Sequence, residues 1–206
     1  MIFYEPHARD RAVLPHDPFK ALVAPRPIGW ISTVNPAGRA NLAPFSFFNA
    51  VASEPPMVMF CAGGGTAPDR LKDSHRNAEA TGEFVVNVVP FALRETMSDT
   101  SASFPAEVDE FEAVGLAKLP SRLVGPPRVA GAPAHLECRT ERIVHLPNAP
   151  GAAPNVMVIG LVVGVHIDPA CLVDGLVDVR RYRPVARLGY FDYTAVETVF
   201  PMDFPP

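Results

Sequence analysis

The sequence lacks any dense run of lysine or arginine. Its 18 lysine and arginine residues are outnumbered by 22 aspartate and glutamate residues, which gives a formal net charge of −4. Binding to nucleic acids depends largely on clustered positive charge that neutralises phosphates. We therefore expect no nucleic-acid partner.

The sequence also lacks the residue patterns of a metal centre. Its three cysteines, Cys61, Cys138 and Cys171, are far apart and form no CxxC pair. The six histidines show no HExxH motif or other closely spaced arrangement of the kind that zinc sites use. We therefore expect no metal site and no disulfide framework, and we interpret the cysteines as buried thiols.

The common glycine motifs for nucleotide phosphates are missing as well. The segment GGGT at 63–66 does not match GxxxxGK[ST], and no GxGxxG fingerprint occurs. These absences argue against a P-loop ATPase and against a Rossmann dinucleotide domain.

No apolar run has the length of a membrane-spanning helix. The most apolar stretch, 156–165, contains two glycines and is about half of the roughly 20 residues that a span requires, so it predicts a buried strand. Residues 1–18 show no basic segment followed by an apolar core and a cleavage site, which is the pattern of a secretory signal. We expect no membrane association and a cytoplasmic location.

Proline, by contrast, is abundant, with 24 residues in a chain of 206. Because proline lacks an amide donor and its ring collides with the preceding helical turn, long uninterrupted helices are excluded. The chain is long enough for one sizeable core and short for two catalytic domains. We therefore expect one domain dominated by strands, turns and loops.

Residue patterns place the first elements. Residues 28–34 predict a strand, the turn NPAG at 35–38 reverses it, and residues 40–45 return as its hairpin partner. The apolar run 57–61 predicts a strand buried on both faces.

Further along the chain, residues 68–81 predict a helix that Gly82 ends, because glycine is the preferred residue just after a helix. The other predicted elements are a strand at 84–89, a short helix at 93–100, and a long hairpin of strands 134–146 and 156–167. Repeated strands without regularly interposed helices favour an antiparallel barrel over a parallel doubly wound sheet.

One long motif carries the functional signal. Residues 26–49 read RPIGWISTVNPAGRANLAPFSFFN, and Lys72-Asp73-Ser74 and Asn77 follow in the predicted helix. With EPPMVMF, GEFVVNV, HLECRTERIV and PVARLGY in the same order, the chain resembles the flavin reductase-like family. Within that family it is most similar to the branch of flavoredoxins and of the reductase components of two-component monooxygenases.

The resemblance implies a mainly β fold, an FMN-binding split β-barrel with a few peripheral α-helices. It would cover a single domain, 1–206, with a core at about 20–190 and a C-terminal tail at 191–206. Members of the family usually form homodimers, so the resemblance implies a homodimer here too.

The resemblance also implies the positions that hold FMN. Donors for the phosphate would come from Lys72, Ser74, Ser32 and Thr33 and from the amides at the helix start. The segment Ser46, Phe47, Phe48 and Asn49 would run beside the flavin ring. The full set of cofactor-binding candidates is Arg26, Ser32, Thr33, Phe45, Ser46, Phe47, Phe48, Asn49, Lys72, Asp73, Ser74, Asn77 and Tyr190.

Several of these residues have an equally simple structural interpretation. Phenylalanines are used mainly for burial, and Tyr190 fits a packing aromatic at the barrel rim. Lys72 and Asp73 alone would form a solvated pair. Arg26 reaches the flavin or its phosphate in one interpretation, and is exposed or paired with a carboxylate in the other.

The function implied is an NAD(P)H-dependent flavin reductase that supplies reduced flavin or electrons to a monooxygenase or other redox partner. NADH or NADPH would be the electron donor, since a nicotinamide can stack on an exposed flavin without a nucleotide-binding domain. FMN would carry the chemistry, so no catalytic side chain is expected. Two alternatives remain: a non-enzymatic FMN electron carrier, and a split-barrel ligand-binding protein without reductase activity.

Overall fold

The computed structural model describes residues 1–63 and 71–203, and within them one antiparallel sheet of seven strands forms the centre. In chain order the strands are β1 (Gly29–Val34), β2 (Ala40–Phe45), β3 (Phe48–Ser53), β4 (Pro56–Ala62), β5 (Glu83–Val88), β6 (Ala134–Leu146) and β7 (Asn155–Ile167). Hydrogen bonding follows the spatial order β2-β1-β5-β6-β7-β4-β3. The sheet curls so that strands far apart in this order meet: the rings of Phe45 on β2 and Phe60 on β4 pack with centroids 5.0 Å apart.

Short elements surround the sheet. The α-helices are α1 (Phe19–Leu22), α2 (Asp73–Thr81), α3 (Arg94–Asp99) and α4 (Glu110–Ala113), and single 3₁₀ turns occur at Pro6–Ala8, Phe91–Leu93, Pro169–Cys171 and Val179–Arg181. One small sheet has three strands, with Val185–Arg187 between Arg26–Pro27 and Tyr193–Ala195. Two further sheets have two strands each: Lys118–Leu119 pairs with Arg128–Val129, and Leu172–Val173 pairs with Leu176–Val177. The mainly β architecture predicted from the sequence is confirmed.

The inner face of the curled sheet holds one apolar core. Phe60 and Phe84 are fully buried there, with ring centroids 5.2 Å apart in an edge-to-face arrangement that aromatic pairs favour. Gly160 on β7 makes room for this packing, because a Cβ at that position would lie 2.4 Å from Cζ of Phe84. Ala78 of α2 joins the same core, so α2 is fixed against the barrel.

A second apolar core lies on the outer face of β1 and β2. Trp30 and Leu42 are fully buried there against Met97 of α3 and Phe111 of α4. The indole Nε1 of Trp30 donates to Oγ1 of Thr100 at 2.9 Å, as a buried indole requires. This packing holds α3, α4 and the loop between them beside the edge strand β2.

The structure confirms most predicted elements with small shifts at their ends. The first hairpin and the long hairpin differ from prediction by at most one residue at an end, and Gly82 ends α2 with a φ of +72°. The helix begins at Asp73, because Lys72 has an extended backbone. The predicted helical residues 68–70 lie outside the described residues.

The structure differs from prediction at the neighbouring strands β3 and β4. The strand predicted at 57–61 to be buried on both faces alternates between buried and partly exposed residues in β4, because only one of its faces meets the core. Strand β3, with the sequence FNAVAS, was not predicted. Apart from Phe48, its residues are short and exposed on an edge strand, so no apolar period marks it.

Candidate functional site

A cleft of about 310 Å³ lies where the end of β2, the start of α2 and the loop after α3 meet. Such a volume is at the lower end of small-molecule sites. Described residues that line it are Lys20, Asn41, Ala43, Pro44, Phe45, Ser46, Phe47, Cys61, Gly63, Leu71, Lys72, Asp73, Ser74, Thr100, Ser101, Ala102, Ser103, Phe104 and Glu110. Six sequence-predicted site residues are therefore gathered in its wall: Phe45, Ser46, Phe47, Lys72, Asp73 and Ser74.

The start of α2 forms one wall of the cleft. Lys72 precedes the helix, is exposed, and provides no side-chain cap for the first helical amides. Oγ of Ser74 accepts a hydrogen bond from Nδ2 of Asn41 at 2.9 Å, which leaves the hydroxyl proton of Ser74 for another acceptor. A cation, a hydroxyl donor and the positive end of a nine-residue helix thus lie together.

Thr33 and Asn77 lie just behind this wall. Nδ2 of Asn77 donates to Oγ1 of Thr33 at 3.1 Å, and both residues are buried. Neither lines the cleft. Their hydrogen bond ties α2 to β1 and so fixes the helix that forms this wall.

The turn between β2 and β3 forms the opposite wall. Phe45 is buried against Phe60, whereas Phe47 is 39% exposed. The backbone oxygen of Phe47 accepts from the amide of Cys61 at 2.8 Å. This bond fixes the turn to β4, so Ser46 and an accessible aromatic ring are held at the cleft.

Arg26 lies next to this turn, with its guanidinium carbon 5.9 Å from the centroid of the Phe47 ring. Its predicted contact with flavin or phosphate stays a prediction, whereas the alternative interpretation is wrong. It is buried, and its guanidinium donates to the backbone oxygens of Lys20, Val23 and Leu188. Burial, and then the charge of Arg187, lower the pKa of Arg26. Since its N–H groups bind carbonyls, Arg26 is neither exposed nor paired with a carboxylate in the described residues, and it secures α1 next to the cleft.

Ser32 lies in a different place from the other predicted phosphate donors. It is fully buried; Oγ donates to the backbone oxygen of Pro127 at 2.5 Å and accepts from Nδ2 of Asn87 at 3.1 Å. Adjacent strand residues point to opposite faces, so Ser32 and Thr33 are separated by the sheet itself. Ser32 belongs to a polar cluster on the outer face and does not line the cleft.

Three further candidates also lie outside the cleft lining. Phe48 packs on the barrel core across Gly29, where a Cβ would lie 2.6 Å from its ring. Asn49 is exposed, and its Oδ1 accepts from the amide of Ala50. Tyr190 is half exposed, has a φ of +53°, and packs edge-on against His16.

Other residues of the cleft were missed from sequence. Asn41 lies within the quoted motif, so its side-chain amide could have been predicted as a site residue. Sequence patterns give no such signal for Lys20, Glu110 or the loop at 100–104. Glu110 is buried at the start of α4, and its Oε2 accepts from the amide of Leu42 at 2.9 Å. Burial raises the pKa of its carboxyl group, and the hydrogen bond from Leu42 opposes that shift.

Among the residues that the structure describes, no three histidine, cysteine or acidic side chains converge on a possible metal position. No helix in this part of the chain is both long and apolar enough to span a bilayer. Burial raises the pKa of the Cys61 thiol in the cleft wall, so this thiol is a poor nucleophile at neutral pH.

The chain is similar to known proteins over most of its length. Residues 22–186 match the family model described as flavin reductase like domain. An uncharacterised protein of Halalkalibacterium halodurans, BH2278, is 36% identical over 184 residues, which are 89% of this chain and 87% of that protein. The reductase subunit HsaB of a flavin-dependent monooxygenase from Mycobacterium tuberculosis is 38% identical over 92 residues, 44% of this chain and 42% of that protein.

Solved structures show the same architecture over most of the chain. Nitrilotriacetate monooxygenase component B from Bacillus cereus has a TM-score of 0.88 at 27% identity, and the match covers 98% of each chain. The fold is also that of flavin reductases with a split-barrel domain. Together with the family match, these similarities support a flavin-binding oxidoreductase.

Proposed function

Because the chain belongs to the flavin reductase-like family, we propose that it binds FMN in the cleft and reduces flavin with NADH or NADPH. The reduced flavin, or its electrons, would pass to a partner monooxygenase or other redox protein. One observation carries this proposal: the cleft gathers Ser46, Phe47, Lys72 and Ser74, residues from two distant parts of the sequence motif.

The residues of the cleft fit the chemistry of FMN. Lys72, the free hydroxyl proton of Ser74 and the start of α2 provide donors and positive charge for a phosphate. Ser46 and the exposed ring of Phe47 provide a hydroxyl and an apolar surface on the opposite wall. Bound FMN would supply a ring that accepts a hydride from nicotinamide and releases electrons to an acceptor.

The protein's own contribution is binding and orientation. Phe45 and the β2–β3 turn form one side of the cleft, and the hydrogen bond between Asn41 and Ser74 fixes the hydroxyl group at the other. Holding two reactants in near-attack geometry lowers the barrier without a nucleophile. The raised pKa of the Cys61 thiol is consistent with that role.

We also propose a homodimer, on the basis of an apolar face of the sheet. Met57 and Met59 on β4 lie opposite Leu161 and Ile159 on β7, and Met157 lies opposite Cys61. All six side chains are partly exposed in the single chain and share the face opposite the barrel core. A second copy covering this face would bury a methionine-rich surface next to the cleft, which Cys61 also lines.

The first test is an anaerobic absorbance titration of the protein reconstituted with FMN, with NADH and NADPH added separately. Loss of the flavin absorbance on addition of one donor is the expected result, and it identifies that donor. Tight FMN binding without bleaching by either donor would instead indicate an electron carrier. Absence of FMN binding would leave a split-barrel protein for another ligand and would refute the proposal.

A further inference from the structure

The cleft to which the proposed function assigns FMN also contains the carboxylate of Glu110. A phosphate-binding site does not need this negative charge. Glu110 is 8% exposed and lies in the cleft wall with Asn41, Asp73 and Ser74. The hydrogen bond from the amide of Leu42 holds its Oε2 at the open edge of β2. The carboxylate is therefore fixed close to the start of α2.

Among the described residues no cation forms an ion pair with Glu110, although Lys20 and Lys72 line the same cleft. Asp73 of α2 and Asp109 at the start of α4 both raise its pKa. Lys118, the nearby cation, is paired with Asp109 and with Glu112. None of the ion pairs formed by the described residues includes Glu110, so its charge acts on whatever ligand occupies the cleft.

We propose that Glu110 determines specificity in the cleft: its ionised carboxylate opposes a phosphate at Lys72 and Ser74 and so limits the preference for FMN over riboflavin. This inference rests on the proposed function. Repulsion between like charges in a partly buried site is on the order of 1.4 kcal/mol, which changes an equilibrium constant by about tenfold. Riboflavin has no phosphate, so its affinity does not depend on this repulsion.

The sign of the pH dependence follows. When Glu110 is protonated, the repulsion is absent and the preference for FMN is greatest. As the pH rises through the pKa of Glu110, the preference falls. The charge of the FMN phosphate also changes with pH, and Lys20, Lys72 and Asp73 are charged residues of the same cleft. His75 faces Glu79 and His145 behind α2. A comparison of two proteins at each pH is therefore needed.

The test measures dissociation constants of FMN and of riboflavin by flavin fluorescence from pH 5 to 8.5, for the unmodified protein and for Glu110→Gln. Glutamine keeps an acceptor for the amide of Leu42. The ratio of riboflavin to FMN dissociation constants is expected to rise by about tenfold at pH 8, and the rise should become smaller as the pH is lowered and the carboxyl group takes up a proton. Glu112→Gln is the matched control, since this exposed residue of the same helix does not line the cleft.

Each outcome decides a different question. An unchanged ratio at pH 8, with both flavins still bound, refutes the role of Glu110 alone. Equal weakening of FMN and riboflavin also refutes it and identifies a structural carboxylate. If the unmodified protein binds neither flavin, the proposed function and this inference both fail. Should Glu110→Gln not fold, Glu110→Met is the second neutral variant of similar size, and a ratio at pH 8 equal to that of the unmodified protein overturns the inference.

Discussion

Two polar regions of this protein contain the same residue types but differ in what those side chains bind. The cleft contains Ser74, Asn41 and Glu110, and a second cluster on the outer face of the sheet contains Ser32, Asn87 and Glu137. In the outer cluster every one of these side chains is engaged by the protein. In the cleft, hydrogen-bonding capacity and charge remain for a ligand.

The two glutamates make the contrast sharpest. Glu137 is fully buried; Oε1 accepts from the amide of Arg122 and from His166, and Oε2 accepts from the amide of Leu123. Burial raises the pKa of Glu137, but these donors outweigh it, so the net shift is downward. Glu110 has one donor from another element, and burial keeps its pKa raised. Burial alone therefore does not set the direction of these two pKa shifts; the number of hydrogen-bond donors to each carboxylate does.

The largest effect is expected when the outer cluster is broken. Glu137→Gln replaces an acceptor-only group by one that also presents an N–H to the surrounding donors. The free energy of unfolding should fall by about 3 kcal/mol, measured by urea denaturation. Glu141→Gln, at an exposed position of the same strand, is the control and should change stability little. Equal stability of the two variants would show that the cluster is not a structural unit.

The next effect tests the cleft. Replacing both Lys72 and Ser74 by alanine removes the cation and the hydroxyl group proposed to bind phosphate, while the fold should remain. FMN should bind roughly 30-fold more weakly, as expected for lost hydrogen bonds to a charged group. Flavin fluorescence titration measures this, with the far-ultraviolet spectrum as a check on folding. An unchanged FMN affinity would remove these residues from the phosphate site.

Ser32→Ala tests whether a serine of the outer cluster contributes to stability and not to FMN binding. It removes the donor to Pro127 and the acceptor for Asn87, so the unfolding free energy should decrease by about 1.5 kcal/mol. The FMN affinity of the folded protein should not change, in contrast to Ser74→Ala. A loss of FMN affinity without a loss of stability would reverse the assignment of the two serines.

Sequence patterns could predict the barrel because its strands carry apolar runs and its turns carry proline and glycine. The motif also identified both walls of the cleft, since Ser46, Phe47, Lys72 and Ser74 lie in it. It could not separate Ser32 from Thr33 in function, although strand alternation requires that they face opposite sides. Glu110 had no sequence signal at all: only the tertiary packing of α4 against β2 brings it to the cleft.

The smallest effect concerns how stability depends on pH, where the two glutamates should act with opposite signs. The folded-state pKa of Glu137 is lowered, so its stabilisation is complete above the unfolded value of about 4.3 and is lost as the pH falls through the folded value. The folded-state pKa of Glu110 is raised, so ionisation favours the unfolded state and stability falls as the pH rises from the unfolded value to the folded one. As the pH rises across this region, the free energy of unfolding of Glu110→Gln should therefore increase relative to that of the unmodified protein, by less than about 1 kcal/mol. The free energy of unfolding of Glu137→Gln should decrease relative to that of the unmodified protein. Urea denaturation of the three proteins between pH 3.5 and 7 measures the two differences, and slopes of the same sign would contradict the distinction between the two regions.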